Sequence, residues 1–60
     1  VTPRQMDVWK FLANGLSNKE IGRELNLTDG TVKQHVSALF KKLNIRNRAE
    51  AIQKASEMWD

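Results

Sequence analysis

The chain has 60 residues, 40% of them hydrophobic and none cysteine, so it can fill one modest core but holds no disulfide, thiolate metal site or cysteine nucleophile. Ten basic against seven acidic residues give a net charge of +3 at pH 7, which favours an anionic partner; no apolar run nears the ~20 residues of a membrane span. A chain this short buries only ~60% of its unfolded surface, which excludes a large catalytic cleft between lobes. The charge is unevenly placed. Residues 28–48 hold Lys33, Lys41, Lys42, Arg46 and Arg48 against Asp29 alone, a net +4, whereas residues 1–27 carry +1 and residues 49–60 carry −2. With Val1 in place of an initiator Met, and neither a signal nor a transit pattern, residues 1–60 are expected to be one domain of a longer protein.

Four helix starts punctuate the chain. Thr2, Pro3 and Gln5 form the first, with proline where its missing N–H costs nothing, and predict a helix over about 3–14 stopped by Gly15. Ser17 and Glu20 form a capping box that opens a helix over 18–25, after which Asn26 fits a left-handed turn. Thr28 caps a third helix over 29–43, with Asp29 placed against the positive end of its dipole. Asn47 and Glu50 form a further box ahead of a last helix over 48–59. No segment reads as a strand, so the fold class is all-α, a four-helix bundle.

At about 100° per residue, Val32, Val36, Leu39, Phe40 and Leu43 share one inward arc of the third helix, while Gly30, Gln34, Ser37, Ala38 and Lys41 face outward with Lys33 on the flank. Ile21 and Leu25 point inward from the second helix, and Val8, Trp9 and Leu12 from the first, with Phe11 at the edge. The second and third helices, about three residues apart, have the spacing of a helix-turn-helix. Gly22 is small where the two cross, Leu27 plugs the core below the turn and Val32 anchors the second member. Any small bundle can contain such an angled pair. The basic stripe over the same element favours nucleic acid as the partner.

Together, Thr2-Pro3-Arg4, Val8, Leu12-Ala13, Gly15, Ser17-Asn18-Lys19-Glu20-Ile21, Leu25, Thr31-Val32-Lys33, His35, Lys42-Leu43, Arg48 and Ala51 resemble the LuxR/FixJ/NarL-type DNA-binding domain over nearly the whole chain. The resemblance implies a bacterial, cytoplasmic transcription regulator in which an upstream receiver or ligand-binding domain controls a C-terminal helix-turn-helix. Three positions depart from the family pattern: Gln5 where Glu is usual, Trp9 where Leu is usual and Gly22 where Ala is usual. Gln5 removes a negative charge that could pair with a basic residue such as Arg48.

A major groove about 12 Å wide admits one α-helix, and the third helix is the expected reader. Lys33 and Gln34, near its N-terminal end where family members direct side chains at bases, and Ser37, one turn on, are the expected base-reading residues. Gln pairs in bidentate fashion with adenine, Lys donates to guanine, and Ser is permissive. Phosphate contacts are expected from Asn18, Lys19, Thr28, Thr31 and Lys41, with Ser17 acting mainly as a cap. His35, the only histidine, has no thiol or second imidazole beside it in sequence and reads as a half-buried packing residue or a phosphate donor, so no metal and no cofactor are expected.

The last helix gathers Ala51, Ile52, Ala55, Met58 and Trp59 into one apolar arc, part of which must cover the core. Relatives commonly dimerise through this element. By resemblance Ala51, Ala55 and Met58 are expected to form a weak homodimer on double-stranded DNA, reading two half-sites related by two-fold symmetry. A sigma-factor region four is a competing DNA-binding reading, disfavoured by His35 and by the NRAEAI segment after the reading helix. A protein-interaction bundle with an acidic partner is another. An enzyme is the weakest reading, because no glycine-rich phosphate loop, ligand cluster or Ser, His and acid set stands out.

Overall fold

Each helix begins at a short polar side chain that satisfies backbone N–H groups the helix itself leaves open. The computed structural model describes residues 1–59 and places α1 at Pro3–Ala13, α2 at Asn18–Leu25, α3 at Asp29–Leu43 and α4 at Arg48–Met58, with no strand among the described residues. Thr2 and Gln5 close a complete capping box on α1, and Ser17 and Glu20 close one on α2. On α3 the Thr28 hydroxyl accepts from the Thr31 N–H at 3.2 Å. The box expected on α4 forms only by half. Asn47 Oδ1 accepts from the Glu50 N–H at 3.0 Å, but the Glu50 carboxylate accepts from the Arg46 N–H at 2.7 Å, one residue upstream of the cap.

Two helices stop one residue earlier than their sequence signals imply. Asn14 is the C-cap of α1, because the left-handed bend already falls on Gly15 at φ 86°. Trp59 turns extended at φ −124° after α4, although its N–H still bonds the Ala55 carbonyl at 2.8 Å. α1, α2 and α3 share one stop: a residue at positive φ, namely Gly15, Asn26 or Asn44, precedes an apolar residue whose N–H reaches back to a carbonyl five positions earlier. Those bonds run from Leu16 to Phe11, Leu27 to Gly22 and Ile45 to Phe40. Each stop thereby turns an apolar side chain onto the core, where Ile45 is buried and Leu16 and Leu27 are partly buried.

The core joins Val8, Trp9 and Leu12 of α1, Ile21 of α2, Val32 and Leu39 of α3, Ile45, and Ala51 and Ala55 of α4. Val36, Phe40 and Leu43 pack partly buried against it, as the inward arc of α3 requires. α1 packs on both α3 and α4, and α2 packs on α3. Trp9 secures the α1–α4 contact. Its indole N–H, which must find an acceptor once buried, donates to the Ala51 carbonyl at 3.0 Å, and its ring meets Trp59 edge-on at 4.7 Å between centroids. The larger side chain at position 9 is thus accommodated by a partner at each end, and Lys10 Nζ lies over the Trp59 ring, 5.6 Å from its centroid.

Candidate nucleic-acid interface

The angle between α2 and α3 is set at Gly22 and Asn26. A Cβ on Gly22 would lie 2.6 Å from the Leu27 carbonyl oxygen, so at the position where Ala is usual this turn leaves no room for a methyl group. Asn26 supplies the left-handed residue at φ 58°, and Leu27 and Val32 close the corner against Ile21. α3 is thereby held with its inner side on the core and its outer side open.

On that outer side Lys33, Gln34, Ser37 and Lys41 line one shallow concavity floored by Gly30 and Ala38. The structure thus brings all three expected base readers, and Lys41, onto one surface. Among the described residues none of these four side chains is engaged in a hydrogen bond or ion pair, so their polar atoms are free for an external ligand. Gly30 and Ala38 keep the floor low enough for another surface to approach. Thr28 and Thr31 sit together at the start of the same helix, their hydroxyl oxygens 2.9 Å apart. Between them the pair holds two hydroxyl protons and uses one, which leaves one to donate outward. His35 is half-buried on the flank, consistent with packing.

The first turn of α2 is braced on both sides. Ser17 N–H donates to Glu20 Oε1 at 2.8 Å, and Ser17 Oγ accepts from the Glu20 N–H at 3.2 Å. The backbone hydrogen bond from Ser17 holds the Glu20 carboxyl below its ordinary range, helped by the Ser17 side chain and by Arg23 and opposed by slight desolvation. A carboxyl lowered on folding stabilises the fold above its unfolded value, and that contribution disappears as pH falls through the folded value. Thermal melts should therefore show a loss of stability with acid across the low end of the glutamate range. Glu20→Gln, which keeps an acceptor for the Ser17 N–H, should flatten that part of the profile, and an unchanged profile would contradict this role.

Lys19 is exposed and unengaged, but Asn18 is not: its Oδ1 accepts from Arg48 Nη1 at 3.1 Å, while Arg48 Nη2 donates to the Leu16 carbonyl. Among the described residues Gln5 and Arg48 do not pair with each other. Gln5 Oε1 accepts from the Thr2 N–H at 3.1 Å within its own cap, and Arg48 reaches the α1–α2 segment instead. Sequence reasoning missed this bridge because its ends lie 30 residues apart and neither carries a periodic signal.

The residues expected to dimerise divide. Ala51 and Ala55 are only 1% and 3% exposed, packed into the protein's own core, so their side chains are not available to a second copy. Their place on the α4 wheel is that of the Trp9 contact. Met58 at 59% and Ile52 at 42% are the large apolar side chains that α4 leaves exposed.

Residues 1–55 match the family described as bacterial regulatory proteins, luxR family. The chain is 47% identical over 51 residues to the nitrate/nitrite response regulator protein NarL of Escherichia coli strain K12, a match covering 85% of this chain and 24% of that protein. It is 39% identical over 57 residues to the transcriptional regulatory protein DesR of Bacillus subtilis strain 168, covering 95% of this chain and 29% of the relative. A third relative, the HTH-type transcriptional regulator MalT of Vibrio cholerae, is 40% identical over 58 residues, or 97% of this chain and 6% of its own length. The chain therefore spans less than a third of each of these curated relatives. The family match sets aside the sigma-factor reading. With four capped helices, a glycine-hinged pair and an open polar face on the second member of that pair, the chain belongs to the luxR family of bacterial regulatory proteins and carries its DNA-binding helix-turn-helix.

Proposed function

We propose that the protein binds double-stranded DNA by laying α3 in the major groove, with Gln34 and Lys33 on base edges and Ser37 one turn further along. The observation that carries this reading is the unengaged Lys33, Gln34, Ser37 and Lys41 surface, low-floored and basic, on the helix that the turn at Gly22 and Asn26 holds outward. Asn18 and Lys19 at α2, the Thr28 and Thr31 hydroxyls and Lys41 at α3 supply phosphate contacts that fix the helix in register without reading sequence. No cofactor is needed for any of these contacts.

In the longer regulator this domain would serve as the effector of transcription in the bacterial cytoplasm, under a receiver or ligand-binding domain. The relation to a nitrate/nitrite response regulator supports that arrangement. No helix among the described residues is long and apolar enough to cross a membrane. A weak homodimer forms on DNA through the outer side of α4, where Ile52 and Met58 replace the buried alanines as contact residues.

Fluorescence anisotropy of labelled duplexes over a salt series tests the reading. If each domain neutralises ~3–5 phosphates, log affinity falls against log salt with a slope of about −0.9 per contact. Lys19→Ala should weaken every sequence alike and reduce the slope by about one contact. A palindromic duplex should take up two domains. Absence of binding at low salt would refute the DNA reading, and uptake of a single domain on a palindrome would refute the dimer.

A further inference from the structure

Among the described residues three side-chain hydrogen bonds join positions distant in sequence: the Trp9–Ala51 bond in the core and the two bonds of Arg48. Arg48 is the first residue of α4, yet its guanidinium reaches both the segment before α2 and the first residue of α2. A core contact has an obvious purpose. An exposed fork spanning 30 and 32 residues of chain calls for another.

The chemistry of the acceptor supplies it. An asparagine amide presents an acceptor at one end and two donors at the other, and rotation exchanges them. Guanidinium has donors only, so Arg48 can face Oδ1 and never Nδ2. With Oδ1 held at 3.1 Å, the amide group of Asn18 turns its two N–H donors away from Arg48. An anion accepts hydrogen bonds and donates none; only this orientation of Asn18 suits one. The second bond, to the Leu16 carbonyl, holds the backbone from which α2 starts, and Leu16 is itself tied by its N–H to the Phe11 carbonyl at 3.2 Å. Side chain and backbone are thus set against α4 by a single planar group.

We propose that Arg48 is a positioning residue for DNA binding, orienting the Asn18 amide so that its N–H donors meet a backbone phosphate. The inference rests on the reading that α2 meets DNA, and it links that contact to α4. Arg48 acts through Asn18 and does not itself touch the duplex. Lysine cannot substitute, because an ammonium lacks the planar fork that serves two acceptors at once.

The test combines Arg48→Lys, which keeps the charge, with Asn18→Ala, each alone and together. In the free domain the Asn18 side-chain amide resonances in a proton–nitrogen correlation spectrum should move toward those of an unrestrained asparagine in Arg48→Lys, with the melting temperature nearly unchanged. Duplex affinity should fall by roughly tenfold or more in either single variant, as expected for one charge-assisted hydrogen bond. The double variant should bind no more weakly than Asn18→Ala alone, and the salt slope of Arg48→Lys should match that of its parent. Additive losses, or Asn18 amide signals unmoved by Arg48→Lys, would overturn the proposal. Duplex binding unaffected by Arg48→Lys overturns it alone, whereas a parent domain that binds no duplex overturns the DNA reading and this inference with it.

Discussion

Replacing Trp9 with alanine is expected to remove roughly half or more of the protein's folding stability and to lower its melting temperature steeply. Trp9 is 2% exposed, fills the space between α1 and α4, and meets Trp59 edge-on just beyond the end of α4. Truncating a buried Trp costs about 3–5 kcal/mol, because transfer free energy is lost and a cavity remains. At roughly 0.05–0.15 kcal/mol per residue, a chain of this length has on the order of 3–9 kcal/mol to lose. No cysteine is present to supply a disulfide that would offset the loss. Trp9→Phe separates packing from polarity: it keeps a ring but removes the donor to the Ala51 carbonyl, at a cost of about 1 kcal/mol plus the smaller ring's unfilled volume. Far-ultraviolet circular dichroism during heating distinguishes the cases. A Trp9→Ala melt within a few degrees of the parent would show that the α1–α4 contact contributes little.

The other large effect concerns specificity. Gln34→Ala is expected to lower affinity for the preferred operator by about 1–3 kcal/mol, or roughly 5- to 150-fold, while leaving mixed-sequence DNA nearly as well bound. Gln34 lies on the open face of α3 between Lys33 and Ser37 and is exposed, so its truncation removes no core contact. The distinction matters because a phosphate ligand and a base reader respond differently: the first weakens all sequences, the second erases a preference. Selection of bound duplexes from a random pool, followed by competition assays on the winners, reads this directly. Equal weakening on every duplex would reassign Gln34 to the backbone and leave Lys33 as the reader.

Much of this protein is legible in its sequence because its signals are local. The caps at Thr2, Ser17, Thr28 and Asn47 lie within four residues of the N–H groups they serve, and all four helix starts fall where those residues place them. The inward arc of α3 follows from periodicity alone, and so does the outward set that the structure gathers into one concavity. Asn44 escaped this reading, although it repeats the left-handed stop of Asn26, because nothing local distinguishes an Asn in a turn from an Asn on a helix surface. The α4 arc misled for a different reason. A helical wheel gives a direction and no depth, so it could not say that Trp9 consumes the side of α4 carrying Ala51 and Ala55. The Arg48 bridge depends on how α4 crosses the loop before α2, which is a tertiary fact with no spacing to betray it.

On the proposed reading, the outer face of α3, flanked by the first turn of α2, is the surface that meets DNA. Backbone amide titration by nuclear magnetic resonance with a mixed-sequence duplex, at low and at physiological salt, locates the contact residue by residue. Shifts concentrated at residues 17–19 and 28–41, shrinking as salt rises, are the predicted result. Shifts confined to α4, or none even at low salt, would contradict it and turn attention to a protein partner for the basic stripe.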